Sequence, residues 1–105
     1  MLQNNQIIDT IKIIAHQYLP EAQVLLFGSR ARNESRIDSD YDILLIINQT
    51  LAPKDKIPII TKIRKSLLQY EILSDIIIQS KGEIDKNKNL PGHIVRTILK
   101  EAIML

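Results

Sequence analysis

Three short apolar runs constrain the fold of this sequence more than any other feature. They occupy residues 24–27, 41–47 and 72–79, and single acids, Asp42 and Asp75, interrupt the second and third. Apolar runs of this length between polar or glycine-containing segments are typical of buried β-strands. We therefore predict three strands, and the acids inside two of them need an explanation.

Segments with helical periodicity surround these strands. Residues 7–18 carry apolar side chains at helical spacing, and Pro20 ends the first predicted helix because proline has no backbone N–H to donate. After the first strand, Ser29 is expected to cap a short helix that runs through Asn33. Pro91-Gly92 precedes a last helix with Ile94, Ile98 and Ala102 on one side.

The longest predicted helix lies between the second and third strands. Asp55 is expected to cap it, Pro58 is tolerated in its first turn, and it runs to about Tyr70. The residues expected to face the core from this helix are Ile60, Ile63 and Leu67.

The resulting order is helix, strand, helix, strand, helix, strand, helix. Residues 34–39 and 80–89 are polar and are predicted to be loops, the second of them mobile. This order predicts a single α/β domain over residues 1–105, with a small mixed β-sheet of about three strands flanked by helices. So thin a sheet should contact a partner or a second copy through an exposed face or edge, as a homo- or hetero-oligomer.

The composition narrows the classes of function. A net charge of +2, with three Tyr and one Phe, gives little basis for binding nucleic acid by charge or base stacking, so nucleic acid is disfavoured as the main target. Because cysteine is absent, a metal would have to bind through oxygen or imidazole. No targeting segment is visible and the apolar runs are too short to span a membrane, so we expect a cytoplasmic protein.

Asp40 and Asp42 form the first candidate site. Residues two apart on a strand point to the same side, so both carboxylates would project together while Tyr41 turns away. Ionised carboxylates this close repel each other, and a hard divalent cation such as Mg²⁺ relieves that repulsion. Taken alone, so short a triplet is better explained without a metal, with Asp40 capping a turn and Asp42 exposed to solvent at the start of the strand.

Gly28-Ser29-Arg30-Ala31-Arg32 forms the second candidate site, between a predicted strand and a short helix. Backbone N–H groups and the helix dipole favour phosphate at such a place. Gly28 allows close backbone approach, the Ser29 hydroxyl can donate to a phosphate oxygen, and Arg30 and Arg32 could contact phosphates. An ordinary strand-to-helix turn with surface arginines is the alternative.

The two sites stand at a specific spacing of Gly-Ser, ten residues and Asp-x-Asp. In this spacing, and in the apolar strand that continues from the acids, the sequence resembles the minimal nucleotidyltransferase family of the polymerase-beta-like superfamily. Asn33 stands where that family often has glycine, and asparagine tolerates the left-handed backbone that such a turn requires. The resemblance covers nearly the whole chain, including residues 98–102, and implies the nucleotidyltransferase fold.

The resemblance also implies a third carboxylate on a later strand. Asp75 is its natural counterpart, and Glu71 is a weaker rival. An acid between Leu73 and Ile76 is costly in an apolar strand unless it is paired or metal-bound. The catalytic and metal-binding residues implied by the resemblance are Asp40, Asp42 and Asp75.

A reaction follows from the resemblance as well. ATP would be the substrate and Mg²⁺ the cofactor, with two ions held by Asp40 and Asp42, while Asp75 helps hold the second ion or deprotonates the attacking hydroxyl. Stand-alone relatives of this length are often antitoxins that transfer AMP onto a tyrosine of a HEPN-type ribonuclease toxin. We expect this chain to be such a metal-dependent protein adenylyltransferase.

Two other classes of function stay open. One is a non-catalytic binding module that neutralises its partner by occlusion. The presence of all three acids favours catalysis over this alternative. The other is nucleotidyl transfer to a small molecule such as an aminoglycoside, or to an RNA end. The lack of a second domain and the few aromatic residues disfavour it.

Overall fold

A computed structural model describes residues 4–32 and 40–105 of the chain, so Asn33 and the loop predicted at residues 34–39 lie outside the described residues. The helices within the described residues are α1 (Asn4–Tyr18), α2 (Gly28–Ala31), α3 (Pro53–Leu68), α4 (Lys81–Asn87) and α5 (Ile94–Glu101). The strands are β1 (Gln23–Phe27), β2 (Tyr41–Ile47), β3 (Ser74–Ser80) and β4 (Ile103–Met104).

Within the described residues, the four strands form one mixed sheet in the order β3-β2-β1-β4. β2 and β3 are parallel and are joined through α3, whereas β1 is antiparallel to both β2 and β4. The predicted α/β class with a small mixed sheet is confirmed, but the sheet has four strands instead of about three. β4 has only two residues and exists through its pairing with Leu25 and Leu26, so it carries no sequence pattern of its own.

Helices cover both faces of the sheet. α1 and α3 pack on one face, where Ile63 and Leu67 of α3 are fully buried as predicted and Ile60 packs against them. α4 and α5 pack on the other face through Ile84, Val95 and Ile98. The side chains of β2 alternate between these faces, as a strand buried on both sides requires.

Two predicted helix caps are wrong. The residue at the N-cap of α2 is Phe27, so Ser29 lies inside the first turn; Gly28, with a φ of 74°, lets the helix follow the strand at once. The N-cap of α3 is Ala52, so Asp55 belongs to the first turn and Pro58 lies beyond it, inside the helix. Pro53 at the start explains the earlier beginning, because its fixed φ favours the first helical position.

The mobile loop predicted over residues 80–89 is also wrong, because most of it forms α4. The Ser80 Oγ accepts a hydrogen bond from the Glu83 N–H, and the Glu83 carboxylate accepts one from the Ser80 N–H, each at 3.0 Å. This reciprocal pair is a capping box. Lys56 donates to the same carboxylate and ties α4 to α3.

None of the helices in residues 4–32 and 40–105 combines the length and the apolar content needed to cross a membrane.

Candidate active site

The predicted acids meet at one end of the sheet. The parallel pairing of β2 with β3 places Asp42 directly opposite Asp75, at a strand spacing of about 4.8 Å. Asp40 lies just before β2 and adds to the charge that acts on Asp42. Tyr41, between them, is buried on the opposite face, as predicted.

The electrostatics of Asp42 show how crowded this end is. Burial raises the pKa of the Asp42 carboxyl above its ordinary value, and the neighbouring Asp75, Asp40 and Glu101 raise it further, while Arg32 lowers it in part. The acids therefore hold negative charge that the described residues only partly neutralise. Clustered acids with a perturbed pKa are typical of functional sites.

Asp75 lies on the later strand beside Asp42, which is where the resemblance implies a third carboxylate. Asp75 is exposed near the start of an edge strand, so the cost expected for an acid between Leu73 and Ile76 is small here. Its place opposite Asp42 is what qualifies it. The rival Glu71 lies in the turn before β3, in a left-handed conformation with a φ of 61°.

Gly28 fits closely against Asp42. Phe27 pairs with Asp42 across β1 and β2, so the chain turns into α2 directly beside the Asp42 carboxylate. A Cβ atom built at Gly28 would overlap the Asp42 Oδ2, and the φ of 74° disfavours any other residue. The predicted close approach of the backbone at Gly28 is thus directed at the acids.

Glu101, at the end of α5, is a site residue that the sequence did not reveal. Its carboxylate accepts a hydrogen bond from the Gly28 N–H at 3.1 Å and pairs with the Arg32 guanidinium at 2.6 Å. The bond from Arg32, and more weakly the one from Gly28, outweigh desolvation and hold the pKa of Glu101 below its ordinary value. Glu101 lies 73 residues from Gly28 in sequence, so no local motif could have indicated the contact.

The two candidate arginines have different surroundings. The Arg30 guanidinium carbon lies 4.2 Å from the centroid of the Tyr41 ring, whose side chain belongs to the face opposite Asp42. Arg32 lies close enough to Asp42 to lower the pKa of that carboxyl. Arg32 thus acts directly on the charge of Asp42.

Comparison with known families agrees with this arrangement. The sequence model described as polymerase beta nucleotidyltransferase matches residues 9–105, which is nearly the whole chain. The chain belongs to the polymerase beta nucleotidyltransferase family. The expected family and its fold are therefore confirmed.

One curated relative of this nucleotidyltransferase-family chain is a protein of Methanocaldococcus jannaschii named as a candidate protein adenylyltransferase. The two are 37% identical over 59 residues, which cover 56% of this chain and 60% of the relative. The chain thus spans about three fifths of the length of the curated relative that it matches.

Two solved structures share the nucleotidyltransferase fold. One is a toxin–antitoxin complex with AMP-PNP, with a TM-score of 0.63 and 16% identity over 97% of this chain and 72% of that one. The other is a tri-AMPylated HEPN toxin of Shewanella oneidensis in complex with its MNT antitoxin, with a TM-score of 0.58 and 15% identity over 97% and 71%. At these identities the likeness establishes the fold.

A divalent metal is what this family implies at the acids. Within the part of the chain that the structure describes, no three acidic or histidine side chains converge closely enough to hold an ion as they stand. Asp42 and Asp75 nevertheless supply hard oxygen donors side by side, and Asp40 adds to the same negative field. The donor chemistry therefore fits Mg²⁺, although the side chains do not form a closed site.

Proposed function

We propose that this chain transfers AMP from ATP to the hydroxyl group of a protein, a tyrosine of a HEPN-type toxin, and thereby acts as an antitoxin. One observation carries the proposal: Asp42 and Asp75 lie in register beside the Gly28 turn. The named activity of the curated relative and the AMPylated toxin bound to a neighbour of the same fold support it.

The residues take separate roles in this proposal. Asp40, Asp42 and Asp75 hold Mg²⁺, and Gly28, Ser29, Arg30 and Arg32 contact the triphosphate. When bound, the metal neutralises charge on the phosphates and on the leaving pyrophosphate. The hydroxyl oxygen forms a bond to the α-phosphorus, the bond from that phosphorus to pyrophosphate breaks, and Asp75 accepts the hydroxyl proton.

The raised pKa of Asp42 supports the assignment of a cation to this site. A carboxyl whose ionisation is disfavoured by its neighbours gains most when a cation arrives, because the cation reverses the sign of the local field. The position of Asp42 against Gly28 limits the movement of its carboxylate toward the turn. The turn and the acids thus adjoin, and the nucleotide phosphates and the metal would meet on the surface that they form together.

A non-catalytic antitoxin is the second candidate. The observation in its favour is that no three metal-ligating side chains converge in residues 4–32 and 40–105. Such a protein would neutralise its partner by occlusion and retain the acids as a remnant.

Incubation with labelled ATP, Mg²⁺ and the protein encoded by the neighbouring gene distinguishes the two. We expect label on the partner protein with the wild type and with Asp9→Asn, a control that removes an exposed acid on α1. We expect none with Asp42→Asn. Equal labelling by Asp42→Asn, or neutralisation of the partner without labelling, would refute the catalytic proposal.

A further inference from the structure

Within residues 4–32 and 40–105, β3 is an edge strand with little of the usual protection against pairing. It ends the sheet order, and its seven residues contain no lysine, arginine or proline. Asp75 is its only charged residue. Natural edge strands are generally short, charged, bulged or covered, because unpaired backbone groups recruit other strands. An edge of seven residues with three successive isoleucines and a single charge therefore favours a partner strand.

The hydrogen-bonding direction of β3 is fixed by its partner β2. The Tyr41 N–H donates to the Leu73 carbonyl at 2.9 Å, so Leu73 directs its backbone groups toward β2. Successive residues of a strand alternate in this respect, so Ser74, Ile76 and Ile78 direct theirs toward the open edge. The Ser80 N–H is taken by Glu83, which ends the open stretch.

We propose that two copies of this chain pair through β3, antiparallel about a two-fold axis at Ile77. The strand Ser-Asp-Ile-Ile-Ile-Gln-Ser reads almost the same in both directions. In this register Ser74 meets Ser80 of the second copy and Ile76 meets Ile78. A symmetric interface must be self-complementary, and this strand fulfils that condition.

The position of the charged side chain and the direction of the backbone hydrogen-bonding groups are both compatible with this register. Asp75 faces the Gln79 amide of the second copy, so the carboxylates do not oppose each other. Ile76 and Ile78 exchange backbone hydrogen bonds with their counterparts, and the Ile77 pair on the axis is of the non-hydrogen-bonded type. A shift by one residue would break both the backbone pairing and the match of side chains.

α3 presents a second self-complementary stripe on the same side. Ile57, Thr61, Arg64 and Leu68 lie within one narrow arc of the helix. Thr61, Arg64 and Leu68 line a cavity of about 260 Å³ that lies between α3 and the start of β3. Ile57 and Leu68 are 63% and 57% exposed, so both side chains are accessible to a second copy. The two-fold pairing brings α3 alongside its copy, with Ile57 opposite Leu68.

This pairing does not depend on nucleotidyl transfer. It extends the sheet to eight strands, and the second copy borders each cluster of acids through Gln79. In this proposal a second copy of the chain occupies the β3 edge. The acceptor protein must then reach the acids without pairing with β3.

The absence of cysteine makes the pairing directly testable. Residues in non-hydrogen-bonded antiparallel pairs have Cα atoms about 4.5 Å apart, within the range that a disulfide bridges. We expect Ile77→Cys to form a covalent dimer under mild oxidation, while Ile13→Cys, on the exposed side of α1, does not. Equal cross-linking of the two variants, or none with Ile77→Cys, would overturn the proposal.

A charge variant on the exposed stripe tests it without disturbing the core. By light scattering after gel filtration, the wild type should have twice the chain mass of 12.0 kDa. Leu68→Lys should shift the protein toward the monomer, whereas Ile13→Lys, at a site 61% exposed, should remain dimeric. A monomeric wild type, a larger assembly, or a dimer unaffected by Leu68→Lys would refute the pairing.

Discussion

Two polar clusters at opposite ends of β3 differ in whether their charges are paired. At the acid end, Asp40, Asp42 and Asp75 crowd together and the pKa of Asp42 is raised. At the capped end, Lys56 bonds to Glu83; although burial raises the pKa of Glu83, bonds from Ser80 and Lys56 outweigh it and lower that pKa. The capped end stabilises the fold, whereas the acid end tolerates unfavourable charge that a ligand can relieve.

Two buried serines give the same contrast on a smaller scale. Ser80 is fully buried, and its Oγ bonds to the Glu83 N–H and, at 2.7 Å, to the Thr50 hydroxyl. Ser74 is 5% exposed, and its Oγ has no partner among the described residues. The same residue type thus stabilises one end of the strand and contributes little at the other.

The largest expected difference between the ends is in activity. Asp75→Asn should lower AMP transfer more than about 100-fold, because even outer-shell partners of metal sites are worth 10–100-fold. Glu83→Gln, at the capped end, should leave transfer per folded molecule unchanged. Rates of label transfer at saturating ATP measure both. A comparable loss from the two variants would remove the functional distinction.

The next effect is on stability and separates the two serines. Ser80→Ala should lower the free energy of unfolding by about 1–2 kcal/mol, since it removes a helix cap. Ser74→Ala should change it by less than about 0.5 kcal/mol, because no bond is lost. Urea unfolding followed by circular dichroism tests the pair. Equal losses would contradict the contrast in bonding.

The pH dependence of stability should have opposite signs at the two ends. Folding raises the pKa of Asp42, so the folded state binds this proton more tightly than the unfolded state. The free energy of unfolding therefore falls as the pH rises from the unfolded pKa of Asp42 through its folded pKa. With its pKa lowered, Glu83 contributes stability above its unfolded pKa that is lost as the pH falls through the folded pKa.

Thermal melting across pH, without divalent metal, measures these terms. Asp42→Asn should melt a few degrees above the wild type at neutral pH, and the gap should close in acid. Glu83→Gln should melt below the wild type at neutral pH and converge with it in acid. Parallel curves for a variant and the wild type would contradict the corresponding pKa shift.

The smallest expected effect concerns Glu101. Glu101→Gln keeps an oxygen for the Gly28 N–H but loses the charge that pairs with Arg32, so Arg32 is held less firmly near Asp42. We expect nucleotide affinity to fall several-fold in a titration with a fluorescent ATP analogue. Tighter binding would instead mean that the carboxylate competes with phosphate.

Features that depend on neighbouring residues could be predicted from the sequence, whereas features that depend on contacts between distant residues could not. Residues 41–47 carry the strand pattern, so local periodicity sufficed for β2. Asp40 and Asp42 became candidates only through their spacing from Gly28-Ser29 and the resemblance that this spacing carries. The sequence does carry a local signal for α4, because Ser80 and Glu83 have the spacing of a capping box, but the polar composition of residues 80–89 is equally typical of a loop. β4 and Glu101 depend on contacts with β1 and the Gly28 turn, which no local pattern encodes.

The contact of Gly28 with Asp42 has a consequence for how this sequence can vary. Any side chain at position 28 would displace the Asp42 carboxylate, and the positive φ adds strain of its own. The fitness effect of a change at one position therefore depends on the residue at the other. In a saturation scan, substitutions of Gly28 should be poorly tolerated beside Asp42 and less harmful beside alanine, a pairwise epistasis that ties the two halves of the signature together.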